Sequence, residues 1–518
     1  MAHKILWADD EIDLLKAHLI FLKEKGYEVS TVTNGNDALD EIAEQNFDIV
    51  FLDENMPGLT GLQTLEEIKR THPSLPVIMI TKSEEEFIME DAIGAKIADY
   101  LIKPVNPKQI LLSLRKNLDS KDLISKKTFS NYRQEFGKIS MDLGSCNSLD
   151  EFKDIYKQLL FWEMELEGVE DPGIREILEM QQKESRAEFG KFISKNYLDW
   201  INDSEDSPDL SHTVLRRNFM PVLDKNKDKT TFLIVIDNLR MDQWFMLKPI
   251  FLQYFNLEKE DMYCSILPTA TQYARNALFA GLMPREIEKI YPDLWLNEDD
   301  EGSKNQFEEE LFKSSLKRFG KNKSVKYHKI LNQDYGKKVS DNFNNLTQVD
   351  VAVLVYNFVD MLSHARTDMD VIKELATDES AYRSITKSWF EHSNLLEVIK
   401  KIAQYGGDVI LTTDHGSIRT NNPVKIVGDR STNTNLRYKV GKNLSYNAKD
   451  VFEIKRPEEA HLPKANLTSN YVFALKQDYF VYPNNYNQYV KMYMNTFQHG
   501  GVSPEEMLVP FISLSSKK

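Results

Sequence analysis

Cysteine is nearly absent from this chain of 518 residues, which has only Cys146 and Cys264. They lie far apart and belong to no CxxC. That excludes a disulfide framework and a thiolate zinc site, and it fits a reducing cytoplasm. No apolar run reaches the roughly 18–20 residues that a membrane span needs. The opening residues Met1-Ala2-His3-Lys4-Ile5-Leu6-Trp7 enter a strand and then an acidic cluster, so they do not form a signal peptide. Positive charge is short: 65 Lys and Arg face 80 Asp and Glu, a formal net charge of −15. A broad nucleic-acid-binding surface needs clustered Lys and Arg and is excluded; a small basic pocket for a nucleotide is not. What is there has a globular balance, with 41% hydrophobic and 28% charged residues. The length predicts two to four domains at roughly 100–200 residues each.

The first 118 residues hold four short apolar runs, each ending in polar residues. Lys4–Ala8 leads into Asp9-Asp10-Glu11, Phe47–Leu52 into Asp53, Pro76–Ile80 into Thr81, and Asp99–Ile102 into Lys103-Pro104. Apolar residues recur at i, i+3, i+4 over 11–25, 36–45, 61–71, 84–95 and 107–118, which predicts helices between the strands. Alternating strands and helices make a doubly wound parallel sheet, and Asp10, Asp53, Thr81 and Lys103 then collect at one edge of it. Packed acids are costly unless a cation shares them.

In this order, Asp9-Asp10, Asp53-Glu54-Asn55-Met56-Pro57-Gly58, Thr81 and Lys103-Pro104 resemble a two-component receiver domain. The resemblance implies a flavodoxin-like fold and a cognate sensor histidine kinase. It implies Asp53 as phosphoacceptor, and Mg²⁺ held by Asp10, Asp53 and the Asn55 carbonyl, with Asp9 as the second acid. Thr81 and Lys103 would contact the phosphoryl group, and Tyr100 would be the switch aromatic. The chemistry agrees, since Mg²⁺ takes a few carboxylates plus phosphate oxygens and Lys supplies a point charge. Lys82 departs from the family, which commonly has a small residue there, and it narrows access to Asp53.

From Ser120 to about Ser207 Gly and Pro are few and strand signals absent. Apolar residues at helical spacing fall in three runs: Phe152 to Trp162, Ile174 to Gln181 after Pro172-Gly173, and Phe189 to Trp200. Three helices packed as a small bundle are expected, serving as a spacer that carries motion or dimer contacts. The segment has no basic face, so a DNA recognition helix is excluded. Ser204-Glu205-Asp206-Ser207-Pro208 marks a boundary. The expected domains are therefore 1–119, 120–207 and 208–518.

The last part offers metal-type ligands at strand ends. Thr231–Ile236 ends at Asp237; Val349–Val355 continues through Tyr356-Asn357-Phe358-Val359 to Asp360, with His364 four residues on; Val409–Thr413 ends at Asp414-His415-Gly416. Asp and His four apart share a helical face and can chelate one ion, and Gly416 lets the chain turn away. His499, in Phe497-Gln498-His499-Gly500-Gly501, is a further candidate. Oxygen and imidazole donors suit Zn²⁺, Mn²⁺ or Fe. Thr269 and Thr271 follow Pro268 where a helix begins, a position that exposes a hydroxyl to an anion or merely caps the helix.

Taken in order, these residues resemble the alkaline phosphatase superfamily of metallohydrolases, specifically its PglZ branch. The resemblance implies one zinc ion on Asp237, Asp414 and His415, a second on Asp360, His364 and His499, and Thr271 as the nucleophile bridging both. Thr271 is chosen because related nucleotide pyrophosphatases place their Thr ten residues before a Gly-Leu-x-Pro, here Gly281-Leu282-Met283-Pro284. Arg275, Asn238 and Arg240 are candidates to hold a non-bridging oxygen. No acids for a third ion stand at clear spacing, which favours phosphodiesters or nucleotides over monoesters. Receiver, bundle and PglZ domain in this order resemble response regulators of the type IX secretion system. That implies a cytoplasmic, zinc-dependent phosphodiesterase acting on nucleotides or cyclic oligonucleotides, and a homodimer induced by phosphorylation. Specific DNA binding is not expected. The rival is a protein-binding regulator whose PglZ domain holds structural zinc, which needs a closed coordination shell where catalysis needs an open one.

Overall fold

The computed structural model describes residues 3–517 apart from 74, 82–96, 115–116, 118–119, 168–171, 203–206, 226–227, 299, 369–375, 377, 430–431 and 465–468. The chain divides into two compact units, Met1–Gln134 and Glu135–Lys518, within one helix, Ser120–Ser145. No described helix is long and apolar enough to cross a membrane.

The first unit is built on a parallel sheet in the order Glu28–Val32, Lys4–Ala8, Ile49–Asp53, Val77–Thr81, Asp99–Ile102. Both faces are buried, because alternate residues of each strand enter different cores. Ile5, Trp7, Phe51, Ile78 and Ile80 pack on one face, and Leu6, Ala8, Val50, Leu52 and Met79 on the other. The edge strand Glu28–Val32 is absent from the four sequence-based runs. Its residues are exposed or half-buried, so it carries no continuous apolar signal. Helices at Lys16–Glu24, Gly35–Glu44, Gly61–Thr71 and Pro107–Leu114 cover the sheet. The helix expected over 84–95 lies outside the described residues.

Among the described residues the middle segment forms three helices, but partitioned differently from the sequence-based reading. They are Ser120–Ser145, Leu149–Glu165 and Pro172–Asn202. The runs at 174–181 and 189–200 belong to one helix. Gln181 and Ser185, both buried, hold the stripe between them, and their polarity hides its continuity. Gln181 is satisfied there: its amide donates to the Phe136 carbonyl at 3.0 Å and to Ser140 Oγ at 2.9 Å.

The rest is a mixed six-stranded sheet in the order Phe255–Cys264, Leu508–Ser516, Asp408–Thr412, Thr231–Ile236, Val351–Tyr356, Val325–Ile330. The last four are parallel, and Leu508–Ser516 runs antiparallel to both neighbours. Thr231–Ile236 and Val351–Tyr356 are wholly buried apolar strands, as a central position requires. Among the described residues, 418–498 carry three small sheets between His415 and His499. One expectation is corrected: the strand does not continue to Asp360. It ends at Tyr356, and Asp360 lies in the first turn of the helix Phe358–Asp368.

Candidate metal centre and phosphoacceptor site

The carboxyl ends of Thr231–Ile236, Val351–Tyr356 and Asp408–Thr412 meet, as parallel neighbours must. They bring Asp237, Asp414 and His415 into one group, and Asp360, His364 and His499 into a second. Within each group one donor atom per residue lies within 4.8 Å of the others. The groups adjoin, for the rings of His415 and His499 stack at 4.2 Å between centroids. Asp360 and His364 do share a helical face, with Oδ2 and Nε2 3.5 Å apart. Asp360 Oδ1 is 3.6 Å from His499 Nε2.

Both buried histidines present Nε2 to the site, because their other nitrogen is occupied. His499 Nδ1 lies 3.0 Å from the Thr269 carbonyl, and His415 Nδ1 lies 3.1 Å from the Gly416 carbonyl. A backbone carbonyl accepts only, so each Nδ1 carries the proton and each Nε2 keeps a lone pair for a cation. Burial pushes His499 down to about 3, with His415 beside it adding to the effect. Burial also pushes His415 down, against the pull of Asp237 and Asp360. Neutral imidazoles are the form that binds metal.

The carboxylates carry the complementary strain. Burial raises Asp237 well above the usual carboxylate range and raises Asp414 too, although Arg275 opposes both shifts. Burial pushes Asp360 up as well, but His499, His364 and His415 outweigh it and hold the group below its ordinary value. Asp237 Oδ1 and Asp414 Oδ2 are buried with no hydrogen-bond partner among the described residues. Buried carboxylate oxygens without donors are uncommon, and a divalent cation would satisfy them. The donor set therefore fits metal.

Thr271 opens the helix Thr271–Ala280 beside this site, half-buried, with Oγ1 3.2 Å from His415 Nε2. The N-cap position belongs to Ala270 and no side chain caps the helix, so the capping role does not apply to Thr271. Thr269 is wholly buried and bound elsewhere, accepting from the Gly500 amide at 2.9 Å and donating to the Gly501 carbonyl at 3.1 Å.

The three residues suggested for a phosphoryl oxygen are occupied. Arg275 is buried, with Nη1 2.9 Å from Asp237 Oδ2 and Nε 2.8 Å from Glu308 Oε1. Arg240 is buried against Asp242 and Glu379. Asn238 adopts φ 64° and its amide reaches Ser363 Oγ at 3.2 Å and Asp360 Oδ1 at 3.4 Å. A non-glycine residue with positive φ at a strand end is often held by local function; here it ties one ligand-bearing turn to the next. Sequence reasoning missed Glu308 and Asn357. Glu308 starts a helix and meets Arg275, Lys329 and Tyr327, while the Asn357 amide donates to Asp237 Oδ2 at 2.9 Å. The Asn after a buried strand was a usable signal; nothing local marks Glu308. The glycine after His415 also serves differently from the expected turn. A Cβ at Gly416 would fall 2.0 Å from the Glu505 carbonyl oxygen, so close backbone approach demands it.

In the first unit, Asp9, Asp10 and Asp53 offer oxygens within 4.8 Å of one another. Lys103 Nζ lies 3.1 Å from Asp9 and 2.9 Å from Asp53. Burial raises Asp53, and Lys103 opposes that shift. Asp53 Oδ2 has no hydrogen-bond partner among the described residues. Asn55 is exposed two residues after Asp53, and Tyr100 is 42% exposed. Thr81 ends its strand at the same edge; its side chain and Lys82 lie outside the described residues.

These features define a receiver domain followed by a helical segment and an alkaline-phosphatase-like α/β domain. The chain belongs to the PglZ family: a model described as the BREX system PglZ alkaline phosphatase-like domain matches residues 214–514, more than half the chain. A response regulator receiver domain model matches 5–115, and a PorX response regulator linker domain model matches 122–201, so the architecture is PorX-like. Among solved structures, the chemotaxis response regulator CheY4 of Vibrio cholerae is 30% identical, covering 23% of this chain and 100% of that one, with TM-score 0.21. The receiver domain of NtrX from Brucella abortus is 33% identical over 22% of this chain and 98% of that one, with TM-score 0.21. A CheY-like receiver protein from Methanospirillum hungatei is 28% identical over 23% and 96%, with TM-score 0.22.

Proposed function

We propose that this response regulator is phosphorylated on Asp53 by a sensor histidine kinase and that its PglZ domain is a zinc-dependent phosphodiesterase. Its substrates would be nucleotide or cyclic oligonucleotide diesters, and its role the control of type IX secretion from the cytoplasm. The observation that carries the reading is the convergence of two Asp/His groups beside a half-buried threonine hydroxyl at a helix N-terminus.

Asp237, Asp414 and His415 would hold one zinc ion, and Asp360, His364 and His499 the other. When bound, the metals would supply Lewis-acid stabilisation of phosphoryl charge and lower the pKa of the Thr271 hydroxyl. Thr271 Oγ attacks phosphorus, the bond to the leaving alcohol breaks, and water then hydrolyses the phosphoryl-threonine ester. The positive end of the helix dipole at the N-terminus of Thr271–Ala280 favours the anionic group beside Thr271. Asn357 and Arg275 hold the Asp237 carboxylate in place. Asn238 does the same for Asp360.

An open shell supports catalysis over structural zinc. The side chain of His364 is 60% exposed, so the second group faces solvent. The diester preference is supported by the want of a third group in this unit among the described residues. In the receiver, Asp10, Asp53 and the Asn55 carbonyl would hold Mg²⁺, with Asp9 beside them and Lys103 and Thr81 on the phosphoryl group.

A hydrolysis screen of nucleotide and oligonucleotide diesters tests the reading. Thr271→Val keeps the shape and removes the hydroxyl, and turnover should fall on the order of 100-fold or more. Unchanged turnover in that variant would remove Thr271 from the mechanism.

A further inference from the structure

A seam of charge, with buried arginines and partly exposed glutamates, joins the middle helices to the sheet domain, all within residues 135–518. Arg383, 2% exposed, places Nη1 2.7 Å from Glu163 Oε1 and 3.0 Å from Asp242 Oδ2, and Nη2 on Glu167. Arg240 pairs with the same Asp242 and with Glu379. Nearby, Arg186 of the helix Pro172–Asn202 donates from Nε to Glu505 Oε1 at 2.7 Å.

Each junction reaches the backbone beside a metal-type ligand through its neighbouring residue. Tyr382, beside Arg383, donates to the Val359 carbonyl at 3.2 Å, directly before Asp360. Its ring stacks on Phe497 at 4.1 Å, two residues before His499. The carbonyl of Glu506, beside Glu505, accepts from the Gly416 amide at 3.0 Å, directly after His415. Buried ions tolerate little separation from their partners, since an unpaired charge in the interior is strongly unfavourable. A shift of the helices carrying Glu163 and Arg186 would therefore draw Arg383 and Glu505, and with them the loops that carry the ligands, or leave buried charge unpaired.

We propose that Arg383 and Arg186 are positioning residues through which the middle helices set the placement of Asp360, His415 and His499. The helical segment is on this view a working part of the hydrolytic site. The inference rests on the metal-hydrolase reading above.

The test uses the full chain, loaded with Co²⁺ as a spectroscopic probe, in Arg383→Met, Arg383→Lys, Arg186→Met and Glu163→Gln. Visible absorption reports ligand geometry, bis(p-nitrophenyl) phosphate hydrolysis gives kcat and KM, and circular dichroism with Tm monitors the fold. Arg383→Met, Arg186→Met and Glu163→Gln should each shift the cobalt bands and lower kcat about tenfold or more, with KM little changed. Arg383→Lys should recover part of both. The Glu163→Gln/Arg383→Met double variant should be no worse than the worse single one, because both cut one link. A lower Tm with unchanged cobalt bands and unchanged kcat would overturn the proposal and leave the seam a structural feature. If Arg383→Met fails to fold, Glu163→Gln decides, since that side chain is 19% exposed and its loss is milder. Wild-type protein that binds no cobalt would overturn the hydrolase reading, and this inference with it, before any variant is made.

Discussion

Thr269 and Thr271 show how far apart two neighbouring threonines can stand in function. Thr269 is a fully buried brace: its hydroxyl joins Gly500 and Gly501, and its carbonyl fixes the proton of His499. Thr271 makes no cap bond and faces the metal-type groups. Their valine variants should therefore separate. Thr269→Val leaves a buried amide and carbonyl without partners, and should cost about 1–3 kcal/mol in urea unfolding. Thr271→Val should cost less than about 1 kcal/mol, the scale of a cap it does not provide. The opposite ranking would place the structural role on Thr271. The same scale shows what local sequence signals leave out. Arg275, one helical turn after Thr271, has the chemistry of a phosphate-binding residue. Only the fold reveals that it is enclosed by Asp237, Asp414 and Glu308.

At the scale of elements, buried strands were legible and half-exposed ones were not. Thr231–Ile236 stands out as an unbroken apolar run because both its faces are covered. Glu28–Val32 does not, because it is an edge strand with one open side. The turn of Asp360 from strand to helix was likewise hidden, since Phe358 and Val359 are apolar in either setting, although the i, i+4 relation to His364 survives. The donor residues were nameable because Asp and His stood at the ends of apolar runs. Glu308 stands at no such end, and only the third dimension brings it to the site. The sequence pattern splits the helix Pro172–Asn202 into two pieces because Gln181 and Ser185 interrupt its apolar stripe. Its continuity gives a prediction. Gly190 sits inside it, and a Cβ there would meet Leu475 at 3.6 Å, an ordinary contact. Gly190→Ala should therefore stabilise the protein by roughly 0.5–1 kcal/mol, through lower unfolded-chain entropy and added helix propensity. Chemical denaturation checks it, and a loss of stability would mean that the helix or its packing is not as described.

At the scale of the whole molecule, a receiver domain that gathers Asp9, Asp10, Asp53 and Lys103 is joined in one chain to an alkaline-phosphatase-like domain. Phosphorylation of Asp53 would add roughly −1.5 to −2 charges beside Lys103, and Thr81 and the exposed Tyr100 are the residues expected to respond. A coupling of a few kcal/mol is enough to shift an association equilibrium tenfold or more, and a two-fold contact is the commonest solution. The unphosphorylated protein should be mostly monomeric and should dimerise with beryllofluoride and Mg²⁺, and Asp53→Ala should abolish the response. Light scattering that shows one unchanged mass, for protein shown to bind the mimic, would rule out dimerisation as the switch. The proposed hydrolase depends on Asp237, Asp414 and His415 with Asp360, His364 and His499 forming a two-metal centre. Elemental analysis of protein purified without chelator tests it most directly. About two transition-metal ions per chain, chiefly zinc, are expected, with one lost in Asp360→Ala or His364→Ala and the other in Asp414→Ala. No stoichiometric transition metal in the unmutated protein would contradict it.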